Sequence, residues 1–296
     1  MSKQNIISNI DNRILDELVG KISFLIKNGF NDSRKVIFLC GKDKSAKDST
    51  RAKISELLIL DKNFQLAYPE DLFEDVLEGQ AKNSLLDLET HLADAVDLIV
   101  LIPESPGSFA ELGAFAMKTE LAEKMLVLRQ SKYKSDKSFI NHGPIRLVRA
   151  AKGQILDIPN VLNIRDKEHT KPIIDQIKSM LPPGRQKKHI DNILMFHEHI
   201  LLIIYLFDKA STNSIRIILS KILARDFTIQ DNIGFDAALH SLIRASLIEK
   251  SGEVFIITSD GYNDINLKYY SINELNKLRI IIMNKQLCRH KNLIDQ

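Results

Sequence analysis

Asp97-Leu98-Ile99-Val100-Leu101-Ile102 runs without a break into Pro103-Glu104-Ser105-Pro106-Gly107-Ser108-Phe109-Ala110-Glu111-Leu112-Gly113, and the reading of this stretch decides the fold. A continuous apolar run of strand length cannot alternate between core and solvent. It predicts a strand covered on both faces, the setting of a parallel sheet. Val36-Ile37-Phe38-Leu39-Cys40-Gly41 has the same character and ends on glycine. Around these two runs the pattern predicts helices at 51–60, 81–96, from Ser108, and 170–181, with strands at 64–68 and 125–128 and weaker runs at 154–156 and 161–164. Strands alternating with helices make a doubly wound α/β layer structure. Ile10, Ile14, Leu18, Ile22, Leu25 and Ile26 stripe one face of a helix that opens this half of the chain.

Leu181-Pro182-Pro183-Gly184-Arg185-Gln186-Lys187-Lys188 interrupts the helical periodicity with two prolines and a glycine, so we place the domain boundary there: 1–181 and 186–296. The second part changes character. Helical patterns at 190–207, 215–224 and 235–245 precede two short strands, 247–250 and 254–258, that flank Ser251-Gly252-Glu253, a hairpin signal. Three helices and a hairpin predict a mostly α winged-helix domain. A last helix starts at Ser271, where Ser271-Ile272-Asn273-Glu274 fits a capping box.

Composition limits the function classes. A chain of 296 residues predicts about two domains at roughly 100–200 residues each. With 44% hydrophobic residues, 12 Gly and 8 Pro, it is not a disordered polymer. A net charge of +3 does not mark a polyanion-binding protein. Cys40 and Cys288 stand far apart, outside any paired metal or redox spacing. The polar start, Met1 to Asn9, has no apolar signal core, and the longest aliphatic and aromatic run, 200–207, is far short of the ~20 residues that span a bilayer. The expectation is a cytoplasmic protein with no membrane contact.

Ligands of open parallel sheets bind beyond the carboxyl ends of the strands, which points to 103–108. Gly107 lets the backbone approach a ligand, Ser108 offers a hydroxyl, and amides at the helix start suit an anion. Glu111, one turn on, is placed to face the same pocket. Ser108-Phe109-Ala110-Glu111 also fits a capping box in which Glu111 merely bonds the Ser108 amide, so two readings of Glu111 stand here.

Ser105-Pro106-Gly107-Ser108-Phe109-Ala110-Glu111-Leu112-Gly113, after Ala95-Val96-Asp97, resembles the motif of nucleoside deoxyribosyltransferase-like proteins and of nucleotide-cleaving N-glycosidases. With the winged helix appended, the whole chain resembles the effectors of retrons, bacterial antiphage systems built from a reverse transcriptase, a branched RNA–DNA molecule and a toxin. The resemblance implies cleavage of a ribose–base bond, with Glu111 as the catalytic carboxylate that stabilises or attacks the developing sugar cation. It also implies that NAD or a related nucleotide is the substrate, with no separate cofactor, that the reverse transcriptase and its RNA–DNA control the protein, and that it forms an oligomer. A second carboxyl group to protonate the leaving base is sought in Glu104, Glu70 or Asp71; a nicotinamide leaving group, already cationic, needs none. The transferases carry an aspartate six positions before the glutamate. Ser105 stands there, which favours hydrolysis over base exchange. Gly41, Ser105, Gly107, Ser108 and Asp71 are the expected substrate contacts.

Other signals carry less. Gly41-Lys42-Asp43-Lys44-Ser45 lacks phosphate-loop spacing, although Gly41 borders the expected pocket and Lys42 or Ser45 could reach a phosphate. His197-Glu198-His199 cannot hold a metal, because residues two apart on a helix point to different sides. In the helix at 235–245 Arg244 is the sole Lys or Arg. That helix and the Arg185, Lys187, Lys188 cluster are the candidates for nucleic-acid or partner contact. The alternative to a toxin is a non-catalytic, nucleotide-sensing regulator that binds DNA; a salvage transferase is a third option.

Overall fold

The computed structural model describes residues 12–29, 34–43, 45–68, 90, 93, 95–181, 190–269 and 271–294, without the side chains of 12 and 287–294. Two compact units emerge: Ser33–Gln186, and Met1–Asp32 together with Lys187–Gln296.

The first unit contains β1 (Lys35–Cys40), β2 (Phe64–Ala67), β3 (Leu98–Leu101), β4 (Met125–Gln130) and β5 (Gln154–Ile158) in one sheet, order β2-β1-β3-β4-β5. All four pairings are parallel. Chain order makes the first helix of the protein α1 (Asn12–Gly29), so this unit's helices are α2 (Thr50–Ile59), α3 (Pro106–Ala116), α4 (Thr119–Glu123), α5 (Phe139–His142), α6 (Pro144–Ala150) and α7 (Lys167–Met180). One sheet face, carrying Ile37, Leu39, Leu98 and Val100, packs on Ile54 and Leu58 of α2 and Ile173 and Ile177 of α7. Phe38, on the other face, meets Phe115 of α3 with ring centroids 6.2 Å apart. β1 and β3 are therefore adjacent strands whose following helices leave to opposite faces. The crevice between their carboxyl ends is the topological switch point of such a sheet.

The weak run at 154–156 is the edge strand β5, whereas 161–164 forms no strand and instead tucks Leu162 into the core. The helix expected at 81–96 lies almost wholly outside the described residues.

The second unit contains α8 (Phe196–Phe207), β6 (Lys209–Ser211), α9 (Thr212–Leu223), α10 (Ile229–Arg244), β7 (Ile248–Ser251), β8 (Val254–Ile257), α11 (Ser259–Lys268) and α12 (Ile272–Ile294), with the antiparallel sheet order β6-β8-β7. The hairpin turn holds Gly252 at φ +64°, in the left-handed region that glycine adopts at no steric cost. The helix α1 belongs to this unit rather than to the α/β unit that its place in the chain suggests, so the boundary at 181 separates it from its partners. The reason is α8. Its residues 200–207 are all buried, so it needs apolar neighbours all round. The stripe Leu15, Leu18, Val19, Ile22, Leu25 and Ile26 supplies one of them and joins the same core as Ile215, Phe235 and Leu275. The three-residue β6 and the polar α11 escape sequence reading. The latter is started by Thr258, whose hydroxyl accepts from the Gly261 amide, and Gly261 lets the backbone of Leu247 pass close by.

Candidate functional site

Glu104 stands one residue beyond Pro103 at the end of β3, and its carboxylate reaches across the switch point to the start of α2. Oε1 accepts from the amides of Arg51 (2.9 Å) and Lys42 (3.3 Å), and Oε2 accepts from the amide of Thr50 (2.9 Å). A helix start presents unsatisfied N–H groups and a partial positive charge, and here a carboxylate of the protein itself takes that place. Arg51 completes the clasp. Its buried guanidinium donates to the Lys42 carbonyl at 3.0 Å and lies over the Tyr68 ring. Gly41 is required by this closeness, since a Cβ there would sit 2.9 Å from Arg51 Cβ and 3.2 Å from Glu104 Oε1.

The start of α3 lies beside this clasp. Ser105 is its N-cap and Pro106 its first residue. Ser105 Oγ accepts from the Ser108 amide and donates to the Gly41 carbonyl at 3.2 Å, while the buried Ser108 Oγ accepts from the Ser105 and Glu104 amides. The capping box is thus Ser105 with Ser108, one turn earlier than the Ser108–Glu111 pairing the sequence also allows. Glu111 takes no part in this box. The box also spends the Ser105 and Ser108 amides on the protein itself, so the anion-holding role expected of this helix start is largely filled from within. Glu111 is partly buried in the second turn, with Oε2 enclosed. Gly107 is exposed, four residues before it on the same helix face. A Cβ at Gly107 would meet only Ser105 Oγ, at 4.0 Å, so internal packing does not demand glycine there.

A cavity of about 670 Å³ opens at the carboxyl edge of the sheet. One wall is the segment after β1 and the start of α2, with Lys42, Lys47, Asp48, Thr50 and Lys53. The other comes from the ends of β4 and β5, with Gln130, Lys132, Tyr133, Asn160 and Val161. Pro103, Glu104 and Phe109 form its floor on the β3 side. Sequence reading reached Glu104 and Lys42 but missed Lys47, Lys53, Lys132 and Tyr133. For Lys47, Lys132 and Tyr133 the signal was their place in segments that follow strand ends; Lys53 lies in the first turn of α2. Glu111 is not among the lining residues. It follows Phe109 by two positions, a turn of about 200° around α3.

Of the residues expected to act together, the structure gathers Gly41, Glu104, Ser105 and Ser108 into one hydrogen-bonded cluster, with Gly107 and Glu111 along the adjoining face of α3. Ser45 bonds Asp43 and does not line the cavity. Asp71, Glu70, Arg185, Lys187 and Lys188 lie outside the described residues. Arg244 is exposed in the last turn of α10, a helix otherwise largely buried, where Asp236 pairs with Arg216 at 2.7 Å.

In the other unit, His197-Glu198-His199 splits as its spacing demands. Glu198 pairs with Lys268 (2.8 Å) and His197 (3.4 Å), and His199 Nε2 contacts the Ile190 carbonyl at 2.9 Å. Burial pushes the Glu198 carboxyl up, yet the bond from His197 and the charge of Lys268 together hold it at about 2. Burial takes His199 down to about 4. No group of metal-binding side chains occurs among the described residues, nor does any helix there have the length and apolarity to cross a membrane.

Residues 47–250 match the STM3845 retron effector protein family. The chain is 34% identical over 277 residues to the Escherichia coli "Retron Ec86 putative ribosyltransferase/DNA-binding protein", covering 89% of this chain and 90% of that one. It is 35% identical over 136 residues to the "Retron Ec73 putative ribosyltransferase/DNA-binding protein" of the same organism, 43% of this chain and 42% of that one.

Proposed function

The chain belongs to the STM3845 retron effector protein family, and from that premise we propose that it is the toxin of an antiphage retron, an N-glycosidase that cleaves the ribose–base bond of NAD or a related nucleotide. The observation that carries this reading is the cavity at the switch point: about 670 Å³ is room for a nucleotide, and the lining mixes cations, aromatic rings and amide groups. The strand order and the Ser105–Gly113 motif support a nucleoside deoxyribosyltransferase-like catalytic unit, and the relatives' names as ribosyltransferases point to the same bond.

In this reading the reacting ribose lies over the first turn of α3. The bare Gly107 leaves its path to Glu111 open, and helical side chains lean toward the N-terminus, so the Glu111 carboxylate leans back toward that opening. As the C1′–N bond breaks and the pair leaves with the base, the carboxylate stabilises the sugar cation or bonds to it, and water then completes hydrolysis. Glu104 is a positioning residue, its two oxygens committed to three amides that fix the cavity wall.

The order helix, strand, helix, helix, hairpin supports a winged helix in the second unit. We assign it to docking on the reverse transcriptase and its branched RNA–DNA. The largely buried α10 and the acidic Glu249 and Glu253 of the hairpin suit a protein-containing surface better than bare DNA.

The test is to incubate purified protein, alone and with its retron partners, with NAD, nucleotides and deoxynucleosides, and to identify released bases by mass spectrometry. Nicotinamide release by the native chain, lowered at least ~10²-fold in Glu111→Gln, is expected. Undiminished release by Glu111→Gln refutes the site. A second reading, a nucleotide-sensing DNA-binding regulator, draws on two observations: Glu104 is bound up and Glu111 does not line the cavity. Binding without turnover, together with a salt-sensitive DNA complex, selects it.

A further inference from the structure

Four lysines from separate parts of the chain line the one cavity: Lys42 and Lys47 after β1, Lys53 on α2, and Lys132 after β4. Elsewhere the ammonium groups of Lys21, Lys134, Lys178, Lys221 and Lys268 reach carboxylates within 4 Å, whereas exposed lysines such as Lys62 and Lys118 reach none among the described residues. None of the four cavity lysines does so among the described residues; Lys132 instead stands over the Tyr133 ring, 4.7 Å from its centre. Two carboxylates line the same cavity, Asp48 and Glu104. Glu104 already satisfies three amides, so it offers the lysines little. Like charges gathered in one cavity repel one another, and an anion bound among them relieves that repulsion.

The helix starts nearby are largely filled from within. Glu104 takes the Thr50 and Arg51 amides of α2, and the Ser105 and Ser108 hydroxyls take the Glu104, Ser105 and Ser108 amides at the start of α3. An incoming phosphate is therefore met chiefly by side chains. The cavity is also two-sided: lysines concentrate on the wall from β1 and α2, while the wall from β4 and β5 supplies Tyr133, Gln130 and Asn160, a ring and two amides suited to a base. Asp48 and Glu104 offset part of the lysine charge, and the remaining groups come from both walls of the cavity, so that two linked phosphates can reach lysines on each wall where a single phosphate sits against one.

We propose that Lys42, Lys47, Lys53 and Lys132 form a pyrophosphate subsite, so that the cavity selects nucleotides carrying a diphosphate over nucleoside monophosphates and nucleosides. This deepens the proposed function and rests on its assignment of the cavity to the substrate. Neither the family match nor the relatives' names assign these residues.

The test is calorimetric binding of ADP, AMP and adenosine to the full chain, native and with Lys47→Gln or Lys132→Gln, with far-UV circular dichroism to show that each variant is folded. The expected order is ADP tighter than AMP by at least ~10-fold and AMP tighter than adenosine, with ADP affinity falling steeply as salt rises. Each lysine variant should weaken ADP ~5- to 10-fold and leave adenosine unchanged. Equal affinities for ADP and adenosine, or folded lysine variants that bind ADP as the native chain does, overturn the subsite. Turnover is read separately. Selective ADP binding without base release from any nucleotide refutes the glycosidase and leaves the subsite standing; base release indifferent to both lysine variants does the reverse.

Discussion

Replacing Glu104 separates positioning from chemistry. Its carboxylate makes two short bonds, to the Arg51 and Thr50 amides at 2.9 Å, and a longer exposed one to Lys42 at 3.3 Å. Charge-assisted bonds contribute ~1.5–3 kcal/mol each, and the low end applies to a half-buried group. Glu104→Ala removes all three together with a negative charge at a helix start worth ~0.5 kcal/mol, while water recovers part of the loss at this cavity edge. The expected cost is about 2–3 kcal/mol. Glu104→Gln keeps one accepting oxygen but turns an NH₂ toward an amide that needs an acceptor, for about 1–2 kcal/mol. With a urea slope of ~2 kcal/mol/M, the Ala variant should unfold at about 1 M lower urea, read by circular dichroism. In the base-release assay the Gln variant should raise KM with kcat lowered less than ~10-fold, because the lysines of the cavity wall are displaced while Glu111 is intact. A Gln variant with native stability whose kcat falls by the ~10²–10⁴ typical of a lost general acid would refute the positioning role and make Glu104 chemical.

Three further outcomes follow. Gly41→Ala forces a Cβ to 2.9 Å from Arg51 Cβ and should cost ~1–3 kcal/mol in urea unfolding, together with loss of ADP binding. His199, held at about 4 by burial, binds its proton more weakly folded than unfolded, so its contribution is complete above pH ~6.5 and falls away as pH drops toward 4. Denaturation at pH 7 and pH 5 should show about 2 kcal/mol less stability at pH 5, a difference removed in a folded His199→Gln variant. Lys268→Met leaves Glu198 buried beside His197 alone; a loss of ~3–5 kcal/mol is expected at pH 7, and less at pH 3, where the orphaned carboxyl can take up a proton.

Much of the architecture was legible in local pattern. β1 and β3 are apolar runs whose residues are all buried from Val36 to Cys40 and from Leu98 to Leu101, and burial on both faces has one sequence signature. The 247–258 hairpin announced itself through Gly252 between two short strand-like runs, the second of them apolar. The candidate site was half legible. The rule that ligands gather at strand ends pointed to the Pro103–Glu111 segment, of which Pro103, Glu104 and Phe109 line the cavity, and Pro106 directly after Ser105 was the available sign that the helix starts there rather than at Ser108.

What the order of residues settled is what depends on near neighbours: strand against helix and the buried pattern. Three things required the folded chain. An amphipathic stripe on α1 says that something apolar covers it but not what, and the answer was the wholly buried α8, far along the sequence. Two overlapping capping patterns compete for Ser108, and the Ser105 hydroxyl, anchored to the Gly41 carbonyl, decides between them. The partners of Glu104 lie more than fifty positions away, and the four cavity lysines come from segments that only sheet order brings together. Periodicity is a property of neighbours along the chain, whereas a charge environment is a sum over neighbours in space, and parallel pairing of β1 with β3 and β3 with β4 is what converts one into the other.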